Sequence, residues 1–441
     1  MSVAPLPARF TGEVLVPGSA GYDAARTVWN GAVDRRPAYV VRCADPDDVR
    51  TAVRVARDLG LPLGVRGGGH SAAGHAVPDG GLMIDLAGMR GVVVDPGART
   101  AQVQGGALLG ALDAAAQPYG LATTAGIVSH TGIGGLALGG GVGWLARMHG
   151  LTCDNALGYE VVTADGDLVR ATAEEHPELF WALRGGGGNF GVVTRFDLTL
   201  HDVGTQALAA EVDLDPAAAL DALRTWLALA QVAPRSVTHT ATVRAGGLLT
   251  LGFVRVGPPA DAEPWLARLD GLGPSLARRV TPSSYMDLQR RSDVHTSFGR
   301  RRYMKSHYVR DLPDAGLEAF LAHAEAEVGA ADLVAYGGAI AEVDPGATAF
   351  AHRGAWFEYG AGAQWQDPAD DQHRVATCRR LAATIEPWSV GAYVNALGAE
   401  GAGGVRRAYD AATFARLQEV KTAWDPHNVF HLNQNIPPLG A

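Results

Sequence analysis

The chain has 441 residues, 47% of them hydrophobic and 19% charged, with a formal net charge of −9. At about 150 residues per domain, that length predicts two or three domains with ample material for cores, and the acidic balance argues against a nucleic-acid partner. Three cysteines exclude a disulfide framework and suit a reducing, cytoplasmic setting. The N-terminal residues show no basic stretch followed by an apolar run, and no window approaches ~18 apolar residues, so neither a signal peptide nor a membrane partner is expected.

Tyr39-Val40-Val41 predicts a buried strand. Asp45 is placed to cap a helix that opens on Pro46 and carries Val49, Ala52, Val53, Ala56 and Leu59 on one face before Gly60 ends it. A second strand, Leu61 to Val65, completes a βαβ unit and leads directly into the glycine cluster Gly64-Val65-Arg66-Gly67-Gly68-Gly69-His70-Ser71. Short strands follow near 82–86, 92–94 and 101–103, then a helix near 107–117. A second cluster runs from Gly132 through Gly134, Gly135, Gly139, Gly140 and Gly141 to Gly143. Strands at 161–163 and 168–170 flank Asp165-Gly166, a hairpin tip. A short helix at 178–183 precedes a third cluster, Gly185-Gly186-Gly187-Gly188-Asn189-Phe190-Gly191, and a strand at 192–198.

The character changes near 202–210. Strands are predicted near 207–213, 237–244, 249–256, 333–341 and 354–360, with helices near 216–230, 261–269, 314–328 and 369–384. This is an α+β pattern with antiparallel strands. Along 333–341, strict alternation would put Tyr336, Gly338 and Ile340 on one face and Ala335, Gly337, Ala339 and Ala341 on the other.

The 57 glycines are nearly twice the usual share of about 7%, and three dense clusters fall in the first half. Glycine lets backbone amides approach a ligand, and strings of amides form anion-binding concavities. The pattern therefore predicts a large ligand with a phosphate or pyrophosphate part, touched mainly by backbone. No G-x-x-x-x-G-K-[ST] segment occurs, so a P-loop is not expected. Gly132-Ile133-Gly134-Gly135-Leu136-Ala137 matches a dinucleotide fingerprint, but that fingerprint must open a helix, whereas Gly139-Gly140-Gly141 follows at once. Classical NAD binding is not expected.

His70 is projected from a loop already assigned to ligand contact, with His75 its nearest competitor. Cys43 and Cys378 sit inside regular elements and read as small buried apolar groups. Cys153 lies between a glycine loop and a hairpin, which makes it the reactive candidate. No spacing supports a metal site.

Arg66-Gly67-Gly68-Gly69-His70-Ser71, the segment from the second cluster through Gly150-Leu151-Thr152-Cys153-Asp154-Asn155, the third cluster, Tyr393-Val394-Asn395, and Trp424-Asp425-Pro426-His427-Asn428 with Asn433-Gln434-Asn435 follow one another over nearly the whole chain. In order and spacing they resemble the berberine-bridge-enzyme-like FAD-linked oxidases of the vanillyl-alcohol-oxidase/PCMH-type flavoprotein superfamily. The resemblance implies a PCMH-type FAD-binding domain of two α/β subdomains over residues 1–205, an antiparallel-sheet-plus-helices substrate domain over 206–385, and a segment, 386–441, that returns to the first domain. It implies FAD held twice covalently: His70 on the 8α-methyl carbon and Cys153 on flavin C6, as in the bicovalent natural-product oxidases of the family. It puts the amides of 66–71 on the pyrophosphate, Gly132 to Gly143 and Val193 along the cofactor, and Tyr393 and Asn395 at the flavin edge. Gly67 departs from the Ser or Thr often found there, which weakens a side-chain contact but not the loop.

The expected reaction is hydride transfer from a hydroxyl- or amine-bearing small molecule to flavin N5, with O₂ as acceptor and H₂O₂ as product. A sugar or oligosaccharide oxidase, or a dehydrogenase of the same fold, is the alternative. A flavin-holding protein without turnover would not need the His70/Cys153 pair, and an NAD(P)H-dependent reductase of related fold would be bleached by NADPH. The base is expected from Tyr393, whose ordinary pKa of about 10 would have to be shifted, or from the second domain, where Glu342, Glu358, Tyr303, Lys305 and His295 are polar candidates.

Overall fold

A computed structural model describes residues 10–215, 219–326 and 329–440. The βαβ unit forms as its residues dictate. Asp45 accepts a hydrogen bond from the Asp48 N–H at 2.9 Å, and the helix Pro46–Asp58 buries Val49, Ala52, Val53 and Ala56. Strands Tyr39–Arg42 and Leu63–Arg66 both pair in parallel with Leu82–Asp85, and Glu13–Leu15 closes the far edge in antiparallel. The first glycine cluster thus leaves the C-terminal end of a parallel edge strand, where ligand crevices of such sheets form.

A second, fully antiparallel sheet has the order Val92–Asp95, Thr100–Gln104, Val192–Thr199, Ala156–Val162, Leu168–Ala171. It includes the hairpin expected around Asp165-Gly166. Its core extends into the C-terminal residues: Ala392, Val394, Leu397, Val405, Phe414, Leu417 and Ile436 pack with Val103, Phe190, Phe196 and Leu198. In the helix Ala411–Trp424, Lys421 is fully buried. Its ammonium pairs with Asp425 at 2.6 Å and donates to the carbonyls of Asn189 (2.8 Å) and Phe430 (3.1 Å). A charge buried this deeply is tolerable only when so fully partnered, and the arrangement pins the third glycine cluster to the C-terminal helix.

The third sheet has eight antiparallel strands in the order Ala277–Ser284, Gln206–Leu214, Leu248–Val256, Val237–Arg244, Ala330–Ala335, Phe357–Trp365, Arg301–Val309, Ser389–Gly391. Helices Leu220–Val232, Asp314–Leu321 and Asp371–Ile385 cover one face through Leu223, Trp226, Leu317, Phe320, Ala382 and Ile385. Elsewhere Ala207, Ala209, Val254 and Val256 of this sheet pack with Ala122 and Leu145.

Three expectations change. The strand expected over 333–341 is Ala330–Ala335; Gly337 and Gly338 then take φ of +79° and +56° and a short helix, Ala339–Glu342, follows. Positive φ at two successive residues ends a strand, so the two-face alternation beyond Ala335 does not exist. The second glycine cluster does open a helix, Ile133–Leu138, but no strand-to-helix βαβ unit precedes it. Strands Ala277–Ser284, Arg301–Val309 and Ser389–Gly391 and the helices Tyr285–Arg290, Gly401–Ala408 and Ala411–Trp424 were not expected. Residues 216–218 and 327–328, the ends of two expected helices, lie outside the described residues; the helices run over Leu220–Val232 and Asp314–Leu321.

Candidate active site

The three glycine clusters, spread from Gly64 to Gly191 in sequence, meet around one cavity of about 390 Å³. Its wall includes Arg66, Gly67, Gly68, Gly69, His70 and Ser71 from the first cluster, Gly132 and Gly135 from the second, and Gly186 to Asn189, Gly191 and Val193 from the third region. Tyr393 and Asn395 return from the C-terminal segment, and Met304 enters from the eight-stranded sheet. The clusters are also fitted to one another. A Cβ on Gly68 would stand 2.2 Å from the Gly132 nitrogen, and a Cβ on Gly132 would stand 2.2 Å from the Gly68 nitrogen. Only two glycines allow that approach, so Gly68→Ala is expected to separate the two walls; the yield of flavin-bound protein from matched purifications of the two forms measures it, with a severalfold drop expected.

Arg66 does not reach for a ligand. Its guanidinium bonds the fully buried Asp85 through Nε (3.1 Å) and Nη2 (2.5 Å), while Arg42 holds the same carboxylate at 3.1 Å. Arg66 therefore anchors the loop through charge-assisted bonds to Asp85.

His70 lies on the wall with its imidazole stacked on Trp29 at 4.9 Å and 15°, and edge-on to Phe298 at 5.6 Å. Its Nε2 is 2.7 Å from His130 Nδ1, and its Nδ1 is 3.3 Å from the Thr131 hydroxyl. Burial, and then the neighbouring His130 and Arg302, push its pKa down to about 3. The ring is neutral at physiological pH and keeps a lone pair.

Tyr393 is fixed from both sides: its hydroxyl accepts from the Gly141 N–H at 3.0 Å and from the Asn395 amide at 2.9 Å, and Asn395 also donates to the Leu136 carbonyl at 3.0 Å. Burial, with the nearby Glu358 carboxylate, raises its pKa well above the ordinary value, against the lowering effect of those two donors. A phenol held so is a hydrogen-bond donor rather than a base.

Behind Tyr393 lies a set of aromatic side chains that no single segment of sequence contains. The Tyr308 ring is 6.4 Å from Tyr393, its hydroxyl is 3.5 Å from that of Tyr336, and Tyr336 donates to Glu358 Oε2 at 2.7 Å. Glu358 lies in the strand Phe357–Trp365. Burial, and then Asp332, raise its pKa to about 7 while the Tyr336 hydrogen bond opposes the rise. The other polar candidates lie elsewhere or are engaged: Glu342 pairs with Arg235, Lys305 with Glu400 at 3.4 Å, Tyr303 with Arg379 at 3.1 Å, and His295 is exposed.

The structure does not bring Cys153 to the cavity. The residue has no accessible surface and packs with Tyr308, Tyr336, Phe350 and Tyr393. Its sulfur lies 3.8 Å from Asp154 Oδ1, and burial followed by that carboxylate pushes the thiol pKa well up. The 8α and C6 positions share the benzenoid ring of a flavin, so two tethers must approach one ring. His70 instead neighbours Trp29, Thr131, His130 and Phe298, none of them around Cys153. Gly139, Gly140, Gly141 and Gly143 also fall behind the wall: a Cβ there would meet Asn395 at 2.1 Å, Phe350 at 2.7 Å, Thr152 at 2.2 Å and the Ala125 carbonyl at 1.7 Å. They permit protein packing rather than ligand contact. Sequence reasoning missed Trp29, His130, Phe298 and Met304; the sole local signal was His130-Thr131, just ahead of the second cluster.

Two segments match family models: residues 37–172 match a FAD binding domain, and residues 392–437 match the berberine and berberine-like family. The chain is 32% identical over 456 residues to (R)-6-hydroxynicotine oxidase of Paenarthrobacter nicotinovorans, covering 99% of this chain and 98% of that one. It belongs to the berberine-bridge-enzyme-like family of FAD-linked oxidoreductases. Its fold superposes on the crystal structure of 6-hydroxy-D-nicotine oxidase from Arthrobacter nicotinovorans with a TM-score of 0.87 at 29% identity, covering 98% of this chain and 99% of the other. It superposes on BBE-like 1 of Physcomitrella patens with 0.89 at 25% identity, covering 98% of both chains. The superfamily fold read from the sequence is therefore the fold of this enzyme.

The cavity fits FAD on its own terms. His75 Nε2 and Asn433 Oδ1, both on wall residues, are buried without a hydrogen-bond partner. A Cβ at Gly135 or Gly188 would meet no protein atom within 4 Å, so bare backbone faces open space there. Polar groups awaiting a partner beside exposed amides are what a polar, phosphate-bearing cofactor requires. Among the described residues, no group of three or more His, Cys, Asp or Glu could hold a metal ion, and no helix is long and apolar enough to cross a membrane.

Proposed function

We propose that this berberine-bridge-enzyme-like protein is an oxidase that holds FAD through one covalent bond, at His70, and oxidises a small hydroxyl- or amine-bearing molecule with O₂ as the electron acceptor. The flavin, when bound, supplies a two-electron acceptor for substrate hydride and returns those electrons to O₂ as H₂O₂. The observation that carries the reading is the pairing, about one cavity, of a neutral imidazole on its wall with a carboxyl group of pKa about 7 linked through tyrosines to another part of that wall.

The residues divide the work by their hydrogen bonds. Gly67 to Ser71 offer backbone to the pyrophosphate, with Arg66 holding that loop in place. Tyr393, its oxygen already accepting twice, presents its O–H hydrogen toward a substrate heteroatom and orients it. Glu358, behind the wall, is the carboxylate placed to receive the proton that leaves the substrate O–H or N–H, by way of the Tyr308 and Tyr336 hydroxyls. Near neutral pH it is balanced between its two forms, as an effective general base should be. Apolar Leu136, Val142, Met304 and Leu397 line the same cavity; together with the likeness to a nicotine-type oxidase, they favour a compact amine or secondary metabolite over a sugar.

Two measurements test this. Substrate screening by peroxide release should find an amine or alcohol that bleaches the flavin anaerobically and yields one H₂O₂ per turnover in air. NADPH should leave the flavin spectrum unchanged; rapid bleaching by NADPH would make the protein a reductase instead.

A further inference from the structure

His130 has no part in the reading above, yet it makes the closest contact to the side chain at its centre. Its Nδ1 lies 2.7 Å from His70 Nε2, with ring centroids 4.8 Å apart. A contact this short between two imidazoles contains one hydrogen, donated by one ring to the other. Two arrangements are possible. If His130 donated, His70 would carry its own hydrogen on Nδ1 and have no lone pair left to form a bond. If His70 donates from Nε2, its Nδ1 is bare, with only the Thr131 hydroxyl at 3.3 Å, and His130 carries its hydrogen on Nε2. That His130 Nε2 is buried without a partner, so nothing on its far side competes for the ring.

We infer that His130 is the group that makes His70 a nucleophile: it holds the His70 ring with Nδ1 bare and takes the Nε2 proton as Nδ1 bonds to the flavin 8α carbon. The inference rests on the His70 tether proposed above. In the balanced step, a C–H bond of the 8α-methyl group breaks and a C–N bond to Nδ1 forms. The two electrons of the C–H bond pass into the flavin ring and from there to O₂. The methyl proton and the imidazole proton end on H₂O₂, and the flavin is left oxidised and attached. Without a proton acceptor at Nε2, bond formation at Nδ1 would leave an imidazolium in a site where burial and Arg302 oppose positive charge. His130 is thus a positioning and proton-accepting residue for cofactor attachment, outside the catalytic cycle. Trp29 stacks on the His70 ring at 4.9 Å and 15°, so that ring keeps a packing partner when His130 is removed.

The test uses protein purified as wild type, His130→Ala, His130→Gln and His70→Ala, incubated aerobically with added FAD. The readout is the fraction of yellow colour that stays with acid-precipitated protein over time. Wild type should retain its flavin from the start. H130A should bind flavin but attach it about 100-fold more slowly, as expected on losing a general base, and imidazole in the buffer should accelerate it by filling the vacated space. H130Q can still accept the Nε2–H bond but cannot take the proton; it should stay slow and gain nothing from imidazole. Attachment at the wild-type rate in either variant, or no imidazole effect on H130A, overturns the role of His130. Complete release of flavin by acid-treated wild type, or acid-stable flavin in H70A, would instead strike down the His70 tether, and the two failures are told apart in one experiment.

Discussion

His70→Ala is expected to convert the flavin from wholly retained to wholly released when the protein is denatured in acid, whereas Cys153→Ala should leave retention unchanged. The contrast follows from what surrounds each side chain. His70 is on the cavity wall, neutral, and presents an Nδ1 lone pair. Cys153 is sealed in an apolar cluster with its thiol protonated by burial and by Asp154. Since the thiolate is the reactive form of cysteine, Cys153 has neither access nor charge state. If H70A kept acid-stable colour that the H70A/C153A double variant lost, the structural separation of the two side chains would be wrong. The peptide carrying the flavin, identified by mass after proteolysis, gives a second measure: the adduct should map to the segment containing His70 alone.

How far the sequence disclosed this site depended on whether a residue's role is decided locally. The βαβ unit, the helix cap at Asp45 and the three glycine clusters are local, and they appear where the residues put them. His70 was legible because it ends a loop whose direction is set by the strand Leu63–Arg66 before it. Cys153 follows a glycine segment too, but in a short 3₁₀ turn, Thr152–Asn155, tied back to the protein by the Asp154–Arg353 ion pair at 2.6 Å. Which way such a turn faces depends on Arg353, 200 residues away, and no spacing within the segment encodes it. The same holds for Gly139 to Gly143: glycine signals close approach without saying to what, and here the partners are Asn395, Phe350, Thr152 and Ala125. The strand Arg301–Val309, reading R-R-Y-M-K-S-H-Y-V, shows no apolar alternation to mark it in the sequence, yet it delivers Met304 and Tyr308.

Glu358→Gln is expected to lower kcat/KM by about 100- to 10,000-fold, the usual worth of a general base, and to flatten its pH dependence. The carboxylate accepts a proton only when ionised, and burial has raised its pKa to about 7. Wild-type kcat/KM should therefore climb as pH rises through about 7 and level off above it, while the glutamine variant, having nothing to titrate there, should lack that limb. Tyr336→Phe removes the hydrogen bond that favours the anion, so its limb should move to higher pH with a smaller loss of rate. Stability provides an independent check with its own sign. A carboxyl whose pKa is raised on folding, from an unfolded value near 4.3, stabilises the native state below that value. That contribution fades as pH rises toward the folded value of about 7. The glutamine variant should therefore melt at a higher temperature than wild type at pH 8, and the difference should shrink as the pH is lowered to about 4. If rate and pH profile were untouched while the melting difference appeared, Glu358 would be a buried structural acid, and the proton would have to leave by another route. If both change together, one carboxyl group, set two tyrosines behind the cavity wall, accounts for the acidic limb and for the alkaline loss of stability.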